Sequence, residues 1–174
     1  LKLKPLDKLD SEPTRADFGS LIHKILENFG RLYPDKLPDN AADILQQIGQ
    51  KLLAEQNLSK EKQAFWLPNL TKIINWLIQT ELQYRPEIKR IHTEIRGSVF
   101  FDNLPNGRFE ISAIADRVDE TKDGRLNILD YKTGQARSSK EVQGGYAPQL
   151  PIEGLIAVSG GFSGIKAAEV GKLI

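Results

Sequence analysis

The chain has 174 residues, 40% of them hydrophobic, with a formal net charge of +1 and no cysteine. That length and apolar content suit one domain burying roughly 70% of its unfolded surface. The near-zero charge excludes a polybasic tail that binds polyanions by bulk attraction, and the missing cysteines exclude disulfide frameworks, thiolate zinc sites and cysteine-ligated iron–sulfur clusters in this segment.

No apolar run reaches the roughly 18 residues that cross a bilayer, and the start lacks a signal-peptide pattern, so a cytoplasmic protein with no membrane partner is expected. Methionine is absent even at position 1, which reads as a fragment of a longer chain. Leu1 to Thr14 is rich in proline and aspartate and reads as an extended entry segment. Asp17 then suits the N-cap of a helix with Leu21, Ile22, Ile25, Leu26 and Phe29 at helical spacing, closed by Gly30.

Two more helical patterns follow, Ala41 to Glu55 and Lys62 to Tyr84. In the second, Phe65, Trp66, Leu70, Ile73, Ile74, Leu77, Ile78 and Leu82 form one broad stripe, and Trp66 and Trp76 read as structural residues. From Ile88 the period changes to that of strands: Ile91 to Phe101, a turn at Pro105-Asn106-Gly107, Phe109 to Val118, an Asp123-Gly124 turn, and Leu126 to Lys132. A helix with its regular part after Gln149 runs to Val158, Gly160-Gly161 ends it, and Glu169 to Ile174 reads as a further strand.

The chemistry sits at the end of the third strand, in Asp130-Tyr131-Lys132. Alternation puts Asp130 and Lys132 on one face and Tyr131 on the other. Folding Ile111 to Val118 back around the Asp-Gly turn sets Asp116 opposite Asp130 for a three-residue loop, or opposite Tyr131 for a two-residue loop. Either register makes the two aspartates neighbours. Facing Cβ atoms lie roughly 4.5 to 5.5 Å apart, a separation that lets two carboxylates bridge one Mg²⁺ at about 2.0 to 2.1 Å per ligand. Taken alone, an Asp-x-Lys triplet is more often a cross-strand ion pair; the apolar strands leading into it favour a site. Lys132, Arg137 and Lys140, with Arg117 nearby, make a local basic cluster that reads equally as a nucleic-acid contact and as a solvated loop.

Taken in order, Gly19-x-x-x-His23, Asp116, Asp130-Tyr131-Lys132-Thr133-Gly134 and Gln149 resemble the motifs of the PD-(D/E)XK nuclease superfamily, in the branch of RecB-type recombination nucleases. The run Gly145 to Glu153 is most similar to the C-terminal nuclease domain of AddB-type helicase–nucleases. The resemblance implies an α/β fold with a restriction-endonuclease-like core, a mixed central sheet flanked by the His23 and Gln149 helices, and Ala41 to Tyr84 as a helical insertion. It implies that His23, Asp116 and Asp130 hold Mg²⁺, which Mn²⁺ can replace, with the Tyr131 carbonyl as a further ligand. Lys132 would activate the attacking water and stabilise phosphate charge, and Gln149 would contact DNA or steady the site.

The same resemblance implies DNA as substrate and a motor subunit of AddA type as partner. Without the aspartates downstream, His23 would read as a half-buried core histidine. Glu94 reads as an exposed strand residue before an outer carboxylate around the metal, and Asp119 as a turn-side partner for Arg117. Relatives often carry tyrosine where this chain has Glu153, which leaves that position without an assigned role. The rival expectations are a nuclease-like DNA-binding scaffold without turnover, and a helical interaction domain built on the Ala41 to Tyr84 stripe.

Overall fold

Helical periodicity gives way to strand at Ile88, and a computed structural model of the chain changes over at the same residue. It describes residues 15–56, 58–102, 104–105, 107–132 and 147–174. The elements in order are α1 (Arg15–Leu32), α2 (Ala41–Glu55), α3 (Lys60–Tyr84), a single 3₁₀ turn (Arg85–Glu87), β1 (Ile88–Phe101), β2 (Phe109–Thr121), β3 (Leu126–Leu129), α4 (Gln149–Val158) and β4 (Val170–Leu173). The strands lie in the order β1-β2-β3-β4. The first three pair antiparallel and β4 joins β3 in parallel, so the sheet is mixed.

Helices cover both faces. Leu21, Ile25, Leu26 and Phe29 of α1, Leu45 and Leu52 of α2, and Leu70, Ile74 and Leu77 of α3 form one core, against which Tyr131 packs. On the other face Ala115, Val118, Leu126 and Ile128 meet Ile156 and Ala157 of α4 and Phe162 and Ile165 beyond it. This layering is the α/β class with a restriction-endonuclease-like core that the motifs imply.

Several boundaries differ from the sequence expectation, each for a local reason. Helix α1 begins at Arg15, so Asp17 lies within its first turn, where a carboxylate complements the positive helix end. Gly30 does not end the helix. A Cβ there would lie 2.5 Å from Thr93 Cγ2, so the glycine allows α1 to seat on β1. On α3 the buried stripe is narrower than expected: Trp66, Leu70, Ile74, Leu77 and Ile78 are buried, whereas Phe65 and Leu82 are mostly exposed. Phe65 lies one residue off the row of Trp66 and Leu70, and Leu82, though four residues after Ile78, stands at the outer edge of the arc. Trp66 is structural, with Phe18 edge-on at 5.1 Å; Trp76 is a surface residue.

Strand β3 ends at Leu129, so Asp130, Tyr131 and Lys132 lie beyond the ladder with β2. The Asp130 amide donates to the Ile174 carbonyl at 2.9 Å, and the Tyr131 amide to Asp116 Oδ2 at 2.9 Å. A carboxylate thus takes the place of a ladder acceptor.

One irregularity in the sheet positions its acidic residues. Ile91 and Thr93 face α1, whereas Ile95 and Val99 pack into the α4 core and Gly97 abuts Phe162. Residues two apart on a regular strand share a face, so β1 changes phase between Thr93 and Ile95. Glu94, between them, has φ of 49°, in the left-handed region that side chains other than Gly, Asn and Asp seldom adopt. Strand β2 changes phase at the matching level: Arg117 bonds Glu81 on α3, whereas Ala113 and Ala115 belong to the α4 core. Asp116 lies at that crossing.

The chain after α4 returns tightly along β1. Gly161 accepts from the Ser98 amide at 3.1 Å, and a Cβ on it would stand 2.1 Å from the Ser98 carbonyl oxygen. Gly161→Ala must therefore push backbone from backbone. It is expected to cost about 1–3 kcal/mol, seen as a lower urea midpoint at unchanged slope; an unchanged midpoint would show that this segment moves freely off β1.

Candidate active site

The turn between β2 and β3 sets the register. Thr121 and Arg125 close it, with the Thr121 amide donating to the Arg125 carbonyl at 2.9 Å, so Lys122, Asp123 and Gly124 are a three-residue loop. Arg117 pairs with Leu129, and one step further along the same register Asp116 faces Asp130. Two carboxylates reach the sheet end together, open on one side to α1 and on the other to α4.

From α1 comes His23. Its Nε2 lies 2.6 Å from the Tyr131 carbonyl oxygen and its Nδ1 lies 3.4 Å from Asp116 Oδ1. A carbonyl carries no proton, so Nε2 is the protonated nitrogen and Nδ1 faces the carboxylate. Two lone pairs cannot face each other unless a cation, a proton or a metal, lies between them. The Asp116 hydrogen bond accordingly raises the His23 pKa above its ordinary value against the opposing effect of burial. Burial pushes Asp116 up, yet the bonds from His23 and the Tyr131 amide hold it below the usual carboxylate range.

Glu94 completes this end. His23, Glu94 and Asp116 each offer a ligand atom, and these atoms lie within 4.8 Å of one another. Burial, then the nearby Asp116, raises the Glu94 pKa. One nitrogen and two carboxylates form a mixed donor set that suits a divalent cation. Of the two readings of Glu94, this placement favours the carboxylate beside the metal position: the residue lies on a strand near the surface, and its left-handed backbone brings the carboxylate to the histidine.

Asp130 lies on the other side of Asp116, with its side chain 9% exposed. Lys132 Nζ donates to it at 2.8 Å, and Gln149 Nε2 at 3.0 Å. Lys132 Nζ also lies 3.4 Å from Gln149 Oε1, and its side chain is 47% exposed, so the ammonium stands at the open surface. Gln149 opens α4, and one turn on Glu153 accepts from Gln149 Nε2 at 3.2 Å. The groups make a row: Glu94 and His23, Asp116, Asp130, Lys132 and Gln149, Glu153.

Other sequence expectations fall elsewhere. The Tyr131 carbonyl, expected as a further metal ligand, accepts from His23 Nε2. Arg117, expected in a basic cluster at the nucleic acid, is 5% exposed. Its Nε and Nη2 donate to Asp119 at 2.6 and 2.9 Å, and its Nη1 donates to Glu81 and, at 3.1 Å, to the Tyr131 hydroxyl. The phase change at Asp116 turns it inward beneath the site. Asp119 is its partner, as expected, but within the core, at 2% exposure. Arg137 and Lys140 lie outside the described residues.

Glu81 and Glu153 escaped sequence reasoning as site supports. Glu81 did carry a signal: it occupies the next buried position after Ile74, Leu77 and Ile78, with Arg85 one turn on. Glu153 stood out only as the position where relatives often carry tyrosine, which gave it no role.

The chain matches the model of the PD-(D/E)XK nuclease superfamily over residues 1–173. It is 34% identical over 163 residues to an uncharacterized protein of Rickettsia bellii and 33% identical over 168 residues to one of Rickettsia typhi, each alignment covering 94% of this chain. It spans 20% and 19% of those proteins' lengths, about a fifth of each. Among the described residues no helix is long and apolar enough to cross a membrane. With that match across nearly its whole length, and with the paired acids and lysine of the superfamily gathered at one sheet end, the chain belongs to the PD-(D/E)XK nuclease superfamily.

Proposed function

We propose that this domain hydrolyses DNA phosphodiesters with a divalent cation, Mg²⁺ or Mn²⁺, as the nuclease part of a larger helicase–nuclease of the RecB and AddB type. The observation that carries the reading is the row itself: histidine and carboxylates at one end, and a solvent-facing ammonium at the other. His23, Glu94 and Asp116, with Asp130 adjoining, would hold the cation. When bound, it lowers the pKa of a water and offsets charge on the phosphate.

The chain's own groups do the rest. Lys132 has three N–H donors; Asp130 takes one and Gln149 another. Among the described residues the ammonium has no further partner, and from the open surface it can meet a phosphate oxygen or the attacking water, where a fixed positive charge favours the more negative transition state. As the water oxygen bonds to phosphorus its proton passes to a base, the phosphorus–oxygen bond opposite breaks, and the departing sugar oxygen takes up a proton. Length supports the helicase–nuclease setting: relatives several times longer have room for a motor, and an AddA-type subunit is the expected partner.

Calorimetry with Mn²⁺ tests the centre directly. The wild-type chain is expected to bind, and His23→Ala and Asp116→Ala to lose most of that heat, while EDTA stops cleavage of single-stranded DNA. Cleavage that survives EDTA would end the metal reading. Metal binding without any cleavage would favour a binding scaffold.

A further inference from the structure

Glu153 is completely buried, in a helix whose neighbouring positions Leu150, Ile152, Ile156 and Ala157 serve the apolar core. A methionine or leucine of similar volume would fill that place without the cost of desolvating a carboxyl, which is worth kilocalories when the group is incompletely bonded. Incomplete bonding is what the structure shows. Oε1 accepts from Gln149 Nε2, while Oε2 has no hydrogen-bond partner among the described residues. Stability alone therefore does not explain this residue.

Gln149 does. An amide offers a donor end and an acceptor end of nearly the same shape, and only its partners decide which way it faces. Here the NH₂ group lies between Asp130 Oδ1 at 3.0 Å and Glu153 Oε1 at 3.2 Å, using both of its hydrogens. The oxygen is then obliged to face Lys132 Nζ. Asp130 alone fixes one hydrogen and leaves the amide able to swing about that bond.

We propose that Glu153 is a positioning residue for Lys132, acting through Gln149: its buried oxygen is the second anchor that holds the amide oxygen against the ammonium. The inference rests on the nuclease reading and adds a residue to it. Burial, reinforced by Asp130 and Asp116, pushes the Glu153 carboxyl up to about 7. A protonated carboxyl still offers one acceptor oxygen, so the anchor persists in either ionisation state.

The test compares Glu153→Gln, which keeps an acceptor oxygen, with Glu153→Met, which keeps volume only. Glu153→Gln is expected to cleave within about threefold of wild type, whereas Glu153→Met should lose on the order of 10-fold in kcat with KM for DNA unchanged. The methionine variant should also melt higher, because a buried carboxyl is gone; a merely structural role would join higher stability to unchanged turnover. In a Gln149→Ala background, Glu153→Met should change nothing further.

A readout apart from activity is the Gln149 side-chain amide in nuclear magnetic resonance spectra. Its resonances should move to those of a free glutamine in Glu153→Met and stay in place in Glu153→Gln. Wild-type turnover in Glu153→Met, an additional loss in the Gln149→Ala background, or an unmoved amide would each overturn the proposal. If the wild-type chain cleaves no DNA, the nuclease reading falls, and the amide spectra alone decide the role of Glu153.

Discussion

Replacing Lys132 by alanine is expected to lower metal-dependent cleavage of single-stranded DNA by about 10²–10³-fold, the usual loss when one fixed charge stabiliser is removed from a reacting centre. The fold should be untouched. The Lys132 side chain is 47% exposed and bonds only to Asp130 and Gln149 among the described residues, and a surface ion pair contributes little to stability. Asp130→Ala should be as damaging, since it removes a carboxylate beside Asp116 and leaves both Lys132 and Gln149 without their common partner. Circular dichroism and thermal melts close to wild type, alongside lost turnover, are the expected pair of results. Cleavage retained in both variants would refute the assignment of the site.

Arg117→Ala should do the reverse, lowering stability first and activity only as a consequence. The guanidinium is enclosed by Asp119, Glu81 and the Tyr131 hydroxyl, while Arg85 donates to the other oxygen of Glu81 at 3.0 Å. Taking Arg117 away strands the Asp119 carboxylate, 2% exposed, and one oxygen of Glu81, 7% exposed. Breaking a buried ion pair on one side costs about 3–5 kcal/mol, which in a domain of this length lowers the melting temperature by roughly 10 °C. Lysine should not rescue it, because one ammonium cannot reproduce the forked contacts to two acids and a hydroxyl. A phosphate contact would behave differently, giving an unchanged melt and a DNA-binding salt dependence shallower by about one ion.

The contrast between these two cations shows what could be read in the sequence. Lys132 and Asp130 were legible because they lie two residues apart on the strand after an Asp-Gly turn, and hairpin geometry makes Asp116 a neighbour of Asp130 in either register, the structure deciding for the three-residue loop. His23 and Gln149 were legible only through the order of motifs, since nothing in helical periodicity tells a histidine at the sheet end from one in the core. Arg117 was misjudged because residue type does not report which face a strand presents, and here the face changes one residue earlier. The same backbone event brought in Glu94, which simple alternation leaves at the surface. Helix positions fared better than helix widths: α2 was placed to the residue, while the α3 stripe lost Phe65 and Leu82 to solvent and Trp76, read as structural, lies at the surface, because a run rich in apolar residues does not reveal how wide a face its neighbours cover.

The change of phase at Glu94 and Asp116 means that two separate interiors share a single pair of ribbons, one filled by α1 to α3 and the other by α4. The acids occupy the seam between them. His23 is delivered by the first interior and Gln149 with Glu153 by the second, so neither half can assemble the centre alone. Loosening either one would disperse the groups proposed to hold the cation, so Mn²⁺ affinity is expected to fall before any spectroscopic measure of helix content does.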